Sequence, residues 1–321
     1  MGELSLIKKF RAHAPGHPWM IVGSGQDCAV LRWKADRDLA YKIDQIVEGT
    51  HFVFTGDDAA TARQVGWKAM AKACSDIAAT GFWPVAATVA VNLQRGSPET
   101  IALELYRGIP ACCTRYGFAL AGGDLSTSTN ALSVAVSLLG EGPKGGAWTR
   151  AGAKPGDFLV VTGTLGGSRG RKHLDFTPRL QEARAIRKLE PRGVSACIDI
   201  TDGLSRDLHH ICEESGVGSC IEEGFLPVSR DARRMAKQDG RSILSHVLAD
   251  GEDFELLLAL KPRAYARLRK LWNASLNKGE KSGLAPLHYI GRIESRAKGL
   301  RIQRLNGKME RLADVGYEHR T

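Results

Sequence analysis

One stretch limits the fold of this chain more than any other. From Ala59 to Ala79 the apolar residues recur at helical spacing, and Gly81 closes the run. Directly after it, Val85–Leu93 (VAATVAVNL) alternates β-branched with small residues and reads as a buried strand. A long helix feeding straight into such a strand requires partner strands and a second layer to cover them. Pro98 then opens another helix that runs to about Tyr116. Phe118–Ala121 and Ala131–Leu139 read as further strands. Upstream, residues 3–12 suit a short amphipathic helix, and the turn Gly23-Ser24-Gly25 precedes strands at Cys28–Trp33 and Leu39–Ile43.

The segment GEGPKGGAW, residues 140–148, is glycine-dense, contains a proline and loses all periodicity, which marks a boundary. Beyond it come a strand at Asp157–Thr162, a glycine loop (GTLGGSRG, 163–170) and a helix at Pro178–Leu189. A strand at Ala196–Ile200 leads into a helix at Asp202–Glu214. Strands at Val217–Ile221 and Glu255–Leu260, a helix at Pro262–Trp272, and strands at Leu287–Ile293 and Leu300–Leu305 complete the pattern. Strands and helices mix without regular βαβ alternation, so the expected class is α+β. The 321 residues suffice for two cores, expected at 1–145 and 146–321.

Bulk properties exclude several functions. No apolar run approaches the roughly 20 residues of a membrane helix. The start, MGELSLIKKF, lacks the apolar centre of a secretory signal, so the sequence reads as cytoplasmic. Seven cysteines without a CxxC pair read as reduced core thiols, the vicinal Cys112-Cys113 included. The net charge is +10, but the bases are scattered and no aromatic-interleaved basic motif occurs. Solubility or attraction of an anionic nucleotide explains the charge better than binding to nucleic acid.

Acidic residues among glycines carry the chemical signal: Asp27, Asp44, Asp76, Asp124, Asp199, Asp202 and Glu252. Such positions let backbone N–H groups approach an anion and leave carboxylates for a hard cation. Magnesium takes oxygen ligands and bridges carboxylates to substrate phosphates. Each residue alone also has a structural reading. Asp202 is a natural helix N-cap, Asp76 an Asx turn and Asp124 a hairpin residue. Recurrence of the same context in both halves favours phosphate chemistry. There is no GxxxxGK[ST], and Gly23-Ser24-Gly25 lacks the third glycine of GxGxxG. His51 and the pair His209-His210 have no companions at metal-ligand spacing along the sequence.

Taken in order, these motifs resemble those of the thiamine-monophosphate kinase family, within the superfamily of aminoimidazole ribonucleotide synthetase-like ATP enzymes. The resemblance covers nearly the whole chain. It rests on Gly25–Val30, Asp44–Phe52, Gly66–Ala71 with Ser75–Gly81, Gly122-Gly123-Asp124, Arg150–Asp157, Asp199–Leu204, Asp250–Leu256 and Gly316-Tyr317. It implies two domains: an N-terminal mixed or antiparallel sheet domain that binds ATP and magnesium and dimerises, and a C-terminal α/β sandwich-like domain that completes the active site. It implies direct in-line transfer of the ATP γ-phosphate to thiamine monophosphate, without a covalent intermediate or general base. Asp27, Asp44, Asp76, Asp124, Asp199 and Asp202 would hold Mg2+. Gly123, Arg150 and Thr201 would contact ATP, and His51, Glu252 and Tyr317 would line the substrate site. The implied assembly is a homodimer, with no nucleic-acid or membrane partner.

The chain departs from the family pattern at Lys42-Ile43, where Ser/Thr-Thr is usual, at Gln26, where the first aspartate of G-D-D is usual, and at Ala73, where asparagine is usual. Two alternatives stay open on these departures: another small acceptor within the same superfamily, or a nucleotide-binding paralogue with weak catalysis.

Overall fold

The computed structural model describes residues 20–22, 26–54, 58–170, 172–277 and 283–317. The expected helix at 3–12 and turn at 23–25 lie outside the described residues. Helix α1 (Asp58–Ala79) organises the first half, because nearly every side chain from Val65 to Ala79 is buried. Helix α2 (Glu99–Tyr116) lies against it at a separation only glycine permits. A Cβ added at Gly66 would sit 2.1 Å from the Leu105 carbonyl oxygen, and one at Gly108 would sit 2.0 Å from that of Arg63. All seven cysteines are buried and free, and Cys74 and Cys112 bring their sulfurs to 3.9 Å between these helices.

The first sheet contains β1 (Met20–Val22), β2 (Ala29–Arg32), β3 (Arg37–Val47), β4 (Trp83–Gln94), β5 (Ala119–Ser128) and β6 (Ser133–Pro143). Its order is β1-β2-β3-β6-β4-β5, with only β4 and β5 parallel. Strand β3 runs well past the expected Leu39–Ile43, because it pairs with β6 along its whole length. Its alternation sends Ala40, Lys42, Asp44 and Ile46 toward the covered face and exposes Tyr41, Ile43 and Gln45. The strand expected to be buried, β4, is buried on one face only; Val85, Thr88 and Ala90 are exposed on the other. Strand β5 is exposed over nearly its whole length and forms the sheet edge.

The second sheet joins β7 (Phe158–Thr162), β8 (Val194–Asp199), β9 (Gly218–Glu222), β10 (Leu256–Leu260), β11 (Leu287–Glu294), β12 (Leu300–Gln303) and β13 (Met309–Arg311). Its order is β13-β12-β9-β11-β7-β10-β8, antiparallel except for β9 and β12. Around it lie α3 (Lys172–Asp175), α4 (Leu180–Leu189), α5 (Leu204–Ser215), α6 (Arg230–Asp239), α7 (Ile243–Ala249) and α8 (Pro262–Asn277). Strand β10 reads LLLAL and is buried on both faces, as a central strand with two covered sides should be. Leu257 and Ala259 join a core with Leu208 and Ile211 of α5. Leu256, Leu258 and Leu260 face the other way, into a core continuous with α1, α2 and the first sheet. Phe176 and the α4 residues Leu180, Ala183 and Ile186 belong to that same shared core. No helix among the described residues is long and apolar enough to cross a membrane.

Candidate functional site: a carboxylate cluster between the two sheets

Three sequence-distant elements meet where the sheets approach. Asp27 stands just before β2, Asp76 lies on α1, and Asp199 ends β8. One oxygen from each of the three lies within 4.8 Å of the others, and all three residues are buried. Asp76 is therefore inside a helix, not in an Asx turn. Carboxylates this close repel one another, and burial adds to the cost of ionising them. Burial and then Asp27 push the Asp199 pKa up to about 7. Burial, opposed by Lys42 and helped by Asp44 and Asp199, also raises that of Asp76.

Cations rim the cluster. Arg150 donates from Nε and Nη2 to Asp27 Oδ1 at 3.0 and 2.5 Å. Burial works against the guanidinium charge, but Asp27 holds its pKa above the ordinary value. The Arg150 backbone N–H donates to Gln26 Oε1 at 2.8 Å, so Gln26 anchors the same arginine. Lys42 donates to Asp76 Oδ1 at 2.9 Å and lies 3.7 Å from Asp44 Oδ2; Lys72 lies 3.2 Å from Asp44 Oδ1. Burial opposes ionisation of Asp44, yet Lys42 and Lys72 bring its pKa down to about 2.

A second group adjoins on the loop between β8 and α5. Asp207 Oδ2 accepts from the backbone N–H groups of Thr201, Asp202 and Gly203 at 3.0, 3.2 and 3.2 Å. The cap of α5 is thus Gly203, with Asp207 supplying the acceptor, and Asp202 is released from the capping role that its position suggests. Asp202, Asp207 and His210 form another triple with one ligand atom each within 4.8 Å, so His210 has companions in space that its sequence neighbours conceal. Tyr317 reaches this loop, donating its backbone N–H to the Asp202 carbonyl at 2.9 Å, and the Arg169 guanidinium lies 5.7 Å from its ring.

His51 and Glu252 are joined by Lys68, which is fully buried. Its ammonium donates to the His51 carbonyl at 2.7 Å and to Glu252 Oε1 at 2.6 Å. His51 Nδ1 accepts from the Val47 N–H at 3.1 Å, which places the ring N–H on Nε2. Glu252 and Phe254 both have positive φ, +53° and +51°. A non-glycine residue held there costs about 1–2 kcal/mol, so the loop is constrained by its surroundings. Hydrogen bonds from Glu252 N to the Thr201 carbonyl (2.6 Å) and from Phe254 N to that of Ile200 (2.8 Å) supply the constraint.

Gly123 and Asp124 stand apart from the carboxylate cluster. They lie within edge strand β5, in register with Val89 and Ala90, and not in a hairpin turn. A Cβ at Gly123 would meet the Val89 carbonyl oxygen at 2.3 Å. Beside them an apolar groove of about 510 Å3 runs between β5 and α2, lined by Ala102, Tyr106, Leu120, Gly122 and Leu125 among others. Sequence reasoning misses Lys68, Lys72, Asp207 and Tyr106. For the lysines a signal existed: Lys68, Lys72 and Asp76 recur every four residues and so share one face of α1.

The description "AIR synthase related protein, N-terminal domain" fits residues 25–141. Over 99% of its length the chain is 35% identical to thiamine-monophosphate kinase of Rhodopirellula baltica, covering 97% of that protein. The chain belongs to the thiamine-monophosphate kinase family. The corresponding kinase of Salmonella typhimurium is 32% identical, with 99% of this chain and 98% of that protein covered. Among solved structures, AaThiL complexed with AMPPCP and TMP matches with a TM-score of 0.81 at 26% identity, over 99% of this chain and 97% of that one. The match spans both sheets, so membership of the thiamine-monophosphate kinase family applies to the whole chain and not to one half.

Proposed function

We propose that this protein phosphorylates thiamine monophosphate to thiamine diphosphate, using ATP and Mg2+ in a direct in-line transfer. The observation that carries the reading is the buried triple Asp27, Asp76 and Asp199, set between two sheets and rimmed by Arg150 and Lys42. The cluster fits a hard cation: Asp199 Oδ2 is a buried oxygen without a hydrogen-bond partner among the described residues. Asp27, Asp76 and Asp199 would hold Mg2+, with Asp44 and Asp202 as further ligands, while Asp124, apart from them on edge strand β5, would meet Mg2+ beside the nucleotide groove. Bound there, the ion neutralises phosphate charge during transfer. Arg150 offers a planar fork to phosphate oxygens. Asp207 holds Thr201 and Asp202 in place for the nucleotide. The groove beside Gly123, with Tyr106 on its wall, suits the flat apolar base. His51, Glu252 and Tyr317 would receive the acceptor, the tyrosine offering an aromatic face to a cationic ring. No side chain is needed as covalent nucleophile, because positioning and charge neutralisation carry phosphoryl transfer.

The reading includes a division of labour. Residues 1–145 would bind ATP and Mg2+ and dimerise, and 146–321 would complete the site. The open face of the first sheet supports the dimer, since Tyr41 and Ile43 are exposed there and β5 is an unpaired edge. A cytoplasmic location accords with these substrates. The test is incubation of the purified protein with ATP, Mg2+ and thiamine monophosphate, followed by chromatography of the thiamine species. Thiamine diphosphate in step with ADP is expected. ADP without thiamine diphosphate would point to another acceptor, and the absence of both would refute the proposal.

A further inference from the structure

Lys42 is placed by register, not by chance. Strand alternation turns residues 42 and 44 of β3 toward α1, where Lys72 and Asp76 share one helical face. Its ammonium lies between two carboxylates, 2.9 Å from Asp76 Oδ1 and 3.7 Å from Asp44 Oδ2. The side chain is only 22% exposed, so the charge has little water to turn to. Two carboxylates at bridging distance, one of them shared with the Asp27–Asp76–Asp199 cluster, are what a divalent ion commonly spans. In this chain an amine spans them.

We infer that the Lys42 ammonium is a resident cation that replaces one metal ion between Asp44 and Asp76, so that this chain binds one ion fewer than it would with a hydroxyl residue at position 42. Charge balance supports this. The carboxylates of Asp27, Asp44, Asp76 and Asp199 face three cationic side chains, Lys42, Lys72 and Arg150. A single divalent ion therefore leaves the site positive toward phosphate. Without Lys42 the same ion leaves it neutral, and a second is needed to restore the attraction. Asp199 Oδ2, buried and without a partner among the described residues, remains open to the ion that is kept. Lys72, on the outer oxygen of Asp44, supports the arrangement but does not touch Asp76's side of it.

The inference rests on the metal reading of the proposed function, and the experiment separates the two. Mn2+ is titrated into the AMPPCP-saturated protein and its variants, and bound ions per chain are counted by electron paramagnetic resonance, with folding checked by circular dichroism in the same Mn2+ buffer. Lys42→Ser should bind one more ion per chain than the parent. Its melting temperature should also rise by more degrees on going from EDTA to Mn2+. Lys42→Ala, the second variant should the serine form fail to fold, should show the same gain, whereas Lys42→Arg keeps the parent's count. Equal, non-zero counts in the parent and the neutral variants overturn the inference and leave the metal reading standing. No bound ion in any of them overturns both.

Discussion

Replacing Asp207 with alanine removes the acceptor for three backbone N–H groups at once, those of Thr201, Asp202 and Gly203. Asp207 is 1% exposed, so water does not take over without opening the loop. Each donor stranded in this way costs at least about 1 kcal/mol, giving a loss of about 3 kcal/mol in all. For 321 residues the entropy of unfolding near the midpoint is about 0.67 kcal/mol/K, so the melting temperature should fall by about 4–5 °C. Asp207→Asn behaves differently. All three bonds converge on one oxygen, and an amide carbonyl can accept them. Burial, with Asp202 and Asp199 nearby, already favours the uncharged carboxyl, so the neutral substitute should lose less than about 1 kcal/mol. Thermal melts with and without AMPPCP read out both variants. The alanine form should also lose most of the stabilisation by AMPPCP, because the loop no longer presents Thr201 and Asp202. An alanine variant that melts with the parent, or an asparagine variant that falls as far as alanine, would refute the reasoning.

Three further outcomes are expected. Asp199, with its pKa raised from 3.8 to about 7, contributes stability to the metal-free protein that is fully present below pH 3.8 and lost as pH rises through about 7. Mg2+ needs the ionised form, so its apparent affinity should drop about tenfold per pH unit below 7, and the melting-temperature gain from Mg2+ should be larger at pH 8 than at pH 6; equal gains would contradict the shift. Arg150→Met leaves Asp27, whose side chain is 5% exposed, without its partner and should cost about 3 kcal/mol, partly restored by Mg2+, as chemical denaturation can show. Gly123→Ala places a methyl 2.3 Å from the Val89 carbonyl and should destabilise by about 1–3 kcal/mol while weakening ATP binding in calorimetry.

Much of this molecule is legible in its sequence, and the exceptions have physical causes. Helix α1 begins one residue from its expected start and ends where expected, because its apolar face is nearly continuous and Gly81 stops it. Helix α6 carries little apolar signal: of RDARRMAKQD only Ala232 is buried, and its local marks are its caps, Ser229 accepting from the Ala232 N–H at 2.9 Å and Gly240 in the left-handed conformation after its end. Helix α5 starts at Leu204 and not at Asp202, because the acceptor that closes its first turn comes from inside the helix. Asp27, Asp76 and Asp199, which the fold brings together, stand out in the sequence by their small-residue contexts, whereas Asp207 does not. The basic partners do not stand out either. Lys68 looks like any helix lysine until Glu252, 184 residues away, arrives beside it. Such pairing is a property of the tertiary fold and leaves no local trace.

The shared core also bears on how the chain comes off the ribosome. The region that matches the AIR synthase-related domain ends at residue 141, yet Phe176, Leu180, Ala183, Ile186, Phe254 and Leu258 pack into the same core as α1 and α2. A nascent chain that has emerged only to residue 145 therefore exposes the apolar flank of its two principal helices with nothing to lay against it. The last of those residues, Leu258, is synthesised more than a hundred positions later. At about 5–20 residues per second, that interval lasts several seconds or more, longer than hydrophobic collapse takes. The first half is thus exposed to chaperones and to other nascent chains during every round of synthesis, and a truncation at the domain boundary would make that interval permanent.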